Sequence, residues 1–176
     1  MNAVRIWIIA MLVTALAAGI GLYYTQVYAF YDEVDGQEFG NVQLVSLHSG
    51  APEPILFENF KAIDSNSSPI RFRACFDTPL SQAMLTETYE IYDTAVPLNG
   101  PRWFDCYDAR AVGEALEQGA AIAFLGEANI IYGVDRVVAV MPDGRGYIWH
   151  QLNRCGEVVY DGEPAPEDCP EPPEGY

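Results

Sequence analysis

From Ile6 to Tyr24 the chain runs nineteen residues, IWIIAMLVTALAAGIGLYY, in which Thr14 is the only polar side chain before the closing tyrosines. At about 1.5 Å rise per residue, a helix of that length covers roughly the thickness of a bilayer's hydrocarbon core. The one charge before the run is Arg5 and the first acid after it is Asp32. That asymmetry predicts a cytoplasmic N-terminus and an exported C-terminus. A cleaved signal peptide is the competing reading, because Ala15-Leu16-Ala17 fits the small-x-small cleavage pattern. Hydrophobicity continues through Ile20, Leu22, Val27 and Phe30, which favours an uncleaved anchor. Tyr23, Tyr24, Tyr28 and Tyr31 then supply an aromatic belt at the outer interface. Either reading delivers the remainder to an oxidising compartment.

Small residues recur along the helix, including the i,i+4 pairs Ala15/Gly19 and Ala17/Gly21. Such a stripe lets a second helix approach closely, where packing drives association in lipid. Alanine and glycine are also simply common in membrane helices. The expected occupant of the stripe is an inner-membrane protein partner.

All 25 acidic residues and eight of the nine basic ones follow Tyr31, which leaves that part of the chain at −17. Nucleic acid and anionic lipid surfaces are poor partners for such a field. Lys61 is the single lysine, and arginine supplies the other basic positions. Arginine forms fixed, bidentate pairs with carboxylates, so Arg71, Arg73, Arg136 and Arg145 are each expected to meet acids. An anion or ligand site built on Arg71 and Arg73 is the functional alternative. Cysteines 75, 106, 155 and 169 make an even count in an exported domain and predict two disulfides, with free buried thiols as the alternative. Of three possible connectivities, chain order favours Cys75–Cys106 and Cys155–Cys169. No C-x-x-C spacing exists, so redox, zinc-ribbon and haem-attachment signatures are missing.

Along the chain the expected organisation is an anchor over 1–31, a tether over 32–41, a periplasmic domain over 42–160 and an acidic, proline-rich tail over 161–176. Ile70 to Phe76 alternates, with Ile70, Phe72, Ala74 and Phe76 facing one way and Arg71, Arg73 and Cys75 the other, and predicts a strand with one face in the core. Thr78-Pro79 reads as a helix start, Tyr89 to Tyr92 as a strand, and Asp108 to Gly119 as a capped helix. Ala120–Leu125 and Val134–Met141 are strand-length apolar runs, and Pro142–Gly146 turns the second into Tyr147–Leu152. The fold class is therefore α+β: an N-terminal transmembrane helix plus a small mixed, mostly antiparallel sheet domain with two short helices. The tail holds five prolines and six acids without a base, and is expected to be extended or disordered apart from what Cys169 fixes.

Chemistry is sparse. His150 shares a strand face with Ile148 and Leu152 and reads as a satisfied core or rim histidine; His48 precedes a turn and is expected to be exposed. No nucleophile elbow, zinc-protease motif, phosphate loop or dinucleotide fingerprint occurs, and no catalytic, cofactor or metal residue is assigned.

The anchor followed by YYTQVYAFYDEV, then GAPEPILFENFKAID, SSPIRFRACFDTPLS, PRWFDCYDA and VDRVVAVMPDGRGYIWHQLN, resembles a family of alphaproteobacterial single-pass membrane proteins whose domain has no assigned function. The resemblance runs to about Asn153. It implies a membrane location and a compact exported domain, and no activity. The expected function is a membrane-anchored periplasmic accessory protein that assembles or stabilises an inner-membrane complex. The alternative is a periplasmic ligand-binding or hydrolytic domain using Arg71, Arg73 and His150.

Overall fold

A computed structural model describes residues 2–29, 31–34, 36 and 40–173. Phe30, much of the expected tether after Val34 and the last three tail residues lie outside the described residues. The chain divides into two compact units, Met1–Asp32 and Glu33–Tyr176.

The first unit is helix α1 (Ala3–Tyr24), continued by a π-helical turn over Thr25–Ala29, and none of its residues is buried. Thr14 Oγ1 donates to the Ala10 carbonyl at 2.9 Å and Thr25 Oγ1 to that of Leu22 at 3.0 Å. Both hydroxyls are thus satisfied within the helix.

The strands are β1 (Asp32–Val34), which begins at the last residue of the first unit, and, within the second unit, β2 (Gln43–Val45), β3 (Pro52–Pro54), β4 (Glu58–Asp64), β5 (Arg73–Asp77), β6 (Ile122–Ile131), β7 (Val134–Val140) and β8 (Arg145–Leu152). Among the described residues the second unit's α-helices of more than one residue are α2 (Gln82–Thr88), α3 (Ala109–Glu117) and α4 (Arg154–Tyr160). Six strands form one sheet in the order β1-β4-β5-β8-β7-β6, and β2 and β3 form a second. The pairs β4–β5, β5–β8, β8–β7 and β7–β6 are antiparallel. The architecture is α+β, with a mostly antiparallel sheet.

Residues opposite one another in register share a face. One row crosses five strands as Ala62, Ala74, Ile148, Val138 and Phe124, every member at most 4% exposed. Val42 and Leu44 from the β2 segment and Leu85 from α2 join this core. Gly146 stands opposite Phe76 in the same layer, and the Phe76 ring fills the place of the missing Cβ. The other face carries the row Ile63, Arg73, Trp149, Val137 and Leu125, also buried. The 94–107 segment lies over it. Gln151 Nε2 donates to the Thr94 carbonyl, Gln151 Oε1 accepts from Val96 N–H, and Cys106 is bonded to Cys75.

Several expectations change. Pro69–Arg71 is a 3₁₀ turn and the strand begins only at Arg73, because proline pre-sets the turn. Both faces of that strand are buried, since the 94–107 segment covers the side that alternation assigned to solvent. Thr78 does not cap a helix: its hydroxyl donates to the Leu56 carbonyl and accepts from Leu80 N–H, so Ser81 caps α2 instead. Tyr89 and Ile91 form only isolated bridges, to Ser46 and Phe124. Among the described residues the domain has a third short helix, α4, over a stretch to which the sequence assigns no element. Asp32–Val34, read as tether, is an edge strand. Tail and body are joined, with Tyr132 Oη donating to the Pro170 carbonyl at 2.9 Å.

Candidate functional site

Arg73 sits mid-row in a buried layer and is 4% exposed. A guanidinium carries five N–H groups, and here they meet backbone. Nε donates to Leu98 O at 2.8 Å, Nη2 to Asn99 O at 3.0 Å, and Nη1 to both Ile70 O at 2.9 Å and Phe72 O at 2.6 Å. The cation also lies 5.8 Å from the Tyr107 ring centroid. The covering segment brings the Leu98 and Asn99 carbonyls over the strand, where the guanidinium donates to them. Arg136 and Arg145 do pair with acids, Glu127 at 3.2 Å and Asp143 at 2.8 Å. Arg71 closes the 3₁₀ turn, half-buried.

His150 lies on the opposite face, since its neighbour Trp149 is the register partner of Arg73. It is 5% exposed and stacks on Phe72, with centroids 4.7 Å apart. Arg136 Nε donates to Nε2 at 3.1 Å, which places the proton on Nδ1, facing the Pro69 carbonyl at 2.9 Å. Burial, together with the positive Arg136 and Arg73, pushes its pKa down to about 3, against the opposing pull of the Pro69 carbonyl. The ring is a neutral structural link in the chain Glu127, Arg136, His150, Pro69. Arg73 and His150 therefore do not converge on a common site.

Asp135 is a polar node that the sequence reading passed over. It is 6% exposed, and accepts from Asn153 Nδ2 at 2.8 Å, Asn129 N–H at 2.9 Å and Tyr92 Oη at 3.0 Å. Burial first, and the adjacent carboxylate next, hold the Tyr92 phenol above its ordinary range. The available signal was an acid inside the apolar run VDRVVAV.

The disulfides are Cys75–Cys106 and Cys155–Cys169, spanning 31 and 14 residues. In the chain-entropy account, loops of this size contribute about 3–4 kcal/mol each. Ala15, Ala17, Gly19 and Gly21 are exposed on α1, and a Cβ at either glycine would meet nothing within 4 Å. His48 is exposed. Among the described residues, no group of three or more His, Cys, Asp or Glu is placed to hold a metal. A cleft of about 360 Å³ at the end of β8 is walled by Ile70, Val96, Leu98 and Leu152, with Arg154 and Glu157 lining it beside them.

Two disulfides, a carbonyl-bound arginine and a neutral buried histidine define a rigid α+β domain of the kind made for an oxidising compartment, preceded in the chain by an apolar helix. Residues 42–170 match a family of unknown function, DUF6446, and the chain belongs to that family. The match extends past Asn153 and takes in both Cys155 and Cys169. No curated protein and no solved structure matches the chain.

Proposed function

We propose that this chain is a single-pass, membrane-anchored interaction protein of an alphaproteobacterial inner membrane, with its N-terminus cytoplasmic and its domain periplasmic, which assembles or stabilises a membrane complex. One observation carries the reading. Ala3–Ala29 is long and apolar enough to cross a bilayer, and none of its helical residues is buried. A helix apolar on every side needs a lipid or protein surround. Its stripe of Ala15, Ala17, Gly19 and Gly21 offers a second helix close approach. The reading of a ligand-binding or hydrolytic domain built on Arg71, Arg73 and His150 draws less support, because Arg73 and His150 spend their polar atoms on the fold.

The test is purification of the C-terminally tagged chain from native membranes in mild detergent, alongside a variant with Ala15, Ala17, Gly19 and Gly21 replaced by leucine. The expected result is a stoichiometric membrane partner with the native chain and its loss with the variant. Equal recovery of the partner by both chains overturns the lateral-packing reading.

A further inference from the structure

On the face that carries Arg73, the covering segment reaches β5 again at the Cys75–Cys106 bridge. The row Lys61, Cys75, Tyr147 and the next pair outward, Asp77 and Arg145, are set by strand register. A cleft of about 380 Å³ opens there, lined by Asn59, Lys61, Asp77, Asp105, Arg145 and Tyr147, with the Cys75–Cys106 bridge also in its wall. The bridge fastens the loop to β5 and so holds Asp105 at the rim.

Charge alternates around this cleft. Lys61 and Asp77 lie on adjacent strands, two residues out of step, or roughly 7 Å apart along the strand direction. Arg145 stands opposite Asp77 on the next strand. Lys61 is the chain's only lysine, and among the described residues it has no carboxylate within ion-pair distance in a domain rich in acids. Asp77 accepts from Asn59 Nδ2 at 2.7 Å, while Arg145 is held by Asp143. Asn59 adopts φ 53°, in the left-handed region, at a bulge where β4 slips register against β5 between Glu58 and Lys61. Bulges re-aim side chains next to binding sites, and this one turns the Asn59 amide onto Asp77. A ligand that is only anionic is repelled by the domain's net field, and one that is only cationic finds acids everywhere. A zwitterion matches the alternation and carries no net charge.

We propose that this cleft binds a small zwitterion of dipeptide size, its carboxylate on Lys61 and its ammonium between Asp77 and Asp105. The site is independent of the anchor and stands or falls separately from the membrane-partner reading.

The experiment is calorimetric titration of the full chain in non-ionic detergent with alanyl-alanine, its N-acetylated form and its C-terminal amide. The free dipeptide is expected to bind saturably, and each capped form at least about tenfold more weakly. Lys61→Gln and Asp77→Asn are each expected to weaken binding by about tenfold or more with unchanged thermal unfolding, while Lys61→Arg retains it. Absence of saturable heat with the free dipeptide, equal binding of the capped forms, or full binding by a folded Lys61→Gln chain overturns the assignment.

Discussion

Arg73 shows how backbone carbonyls can hold a buried cation. Four carbonyl dipoles share it, from Ile70, Phe72, Leu98 and Asn99. The guanidinium thus binds the 3₁₀ turn, β5 and the covering segment into one piece. Lysine keeps the charge but concentrates three donors at one point, so it cannot span Leu98, Asn99, Ile70 and Phe72 together. Arg73→Lys is expected to lower stability by about 1.5–3 kcal/mol, seen as a lower denaturation midpoint. An unchanged midpoint would show that water replaces the lost donors without penalty. Alternation placed Arg73 correctly on the face away from Ala74, but pattern alone does not report what lies on top of that face.

At the scale of elements, the contact between α4 and the β6–β7 turn is made by two glycines. Gly133 has φ 75°, and a side chain on Gly156 would enter its backbone. Asn153 closes the arrangement from both sides, accepting from Gly156 N–H as the cap of α4 and donating to Asp135. Gly156→Ala is therefore expected to cost about 1–3 kcal/mol and to lift the first turn of α4 from its seat. Amide exchange should quicken over Arg154–Tyr160 and leave the centre of β8 unchanged. Uniform exchange in variant and native chains would dismiss the packing argument. The helix itself escaped sequence reading because RCGEVVY is short, has a glycine in its first turn and shows too few apolar positions for a period.

Across the whole molecule, buried titratable groups set the response to pH. The unfolded His150 takes up a proton below its ordinary pKa of 6.5, whereas the folded ring resists protonation down to about 3. Between those values the unfolded state binds more protons. The contribution of His150 to stability is therefore complete above the upper value and is lost toward the lower, by up to about 1.4 kcal/mol per pH unit. Asp64 works in the opposite sense, because burial raises its pKa. Replacing His150 with glutamine keeps hydrogen-bonding groups at the site and removes the titration. The gap in unfolding temperature between native and His150→Gln chains is expected to narrow as pH falls from neutrality into the acid range. Parallel curves would refute a buried neutral imidazole as the cause.

The amino-acid sequence by itself determined the features that depend on local composition and period. These are the apolar helix at Ile6–Tyr24, the Asp108 cap and Gly119 stop of α3, the β7–β8 hairpin at Pro142–Gly146, and the α+β class. Each is written within a few residues, where chain geometry alone decides the outcome. Tertiary structure decided what depends on the far side of a contact. It set Arg73 against carbonyls 25 and 26 residues away, buried both faces of β5, and brought Lys61, Asp77 and Asp105 around one cleft. It also recruited Asp32–Val34 as an edge strand. Alternation reports which residues share a face, and only packing determines what covers that face.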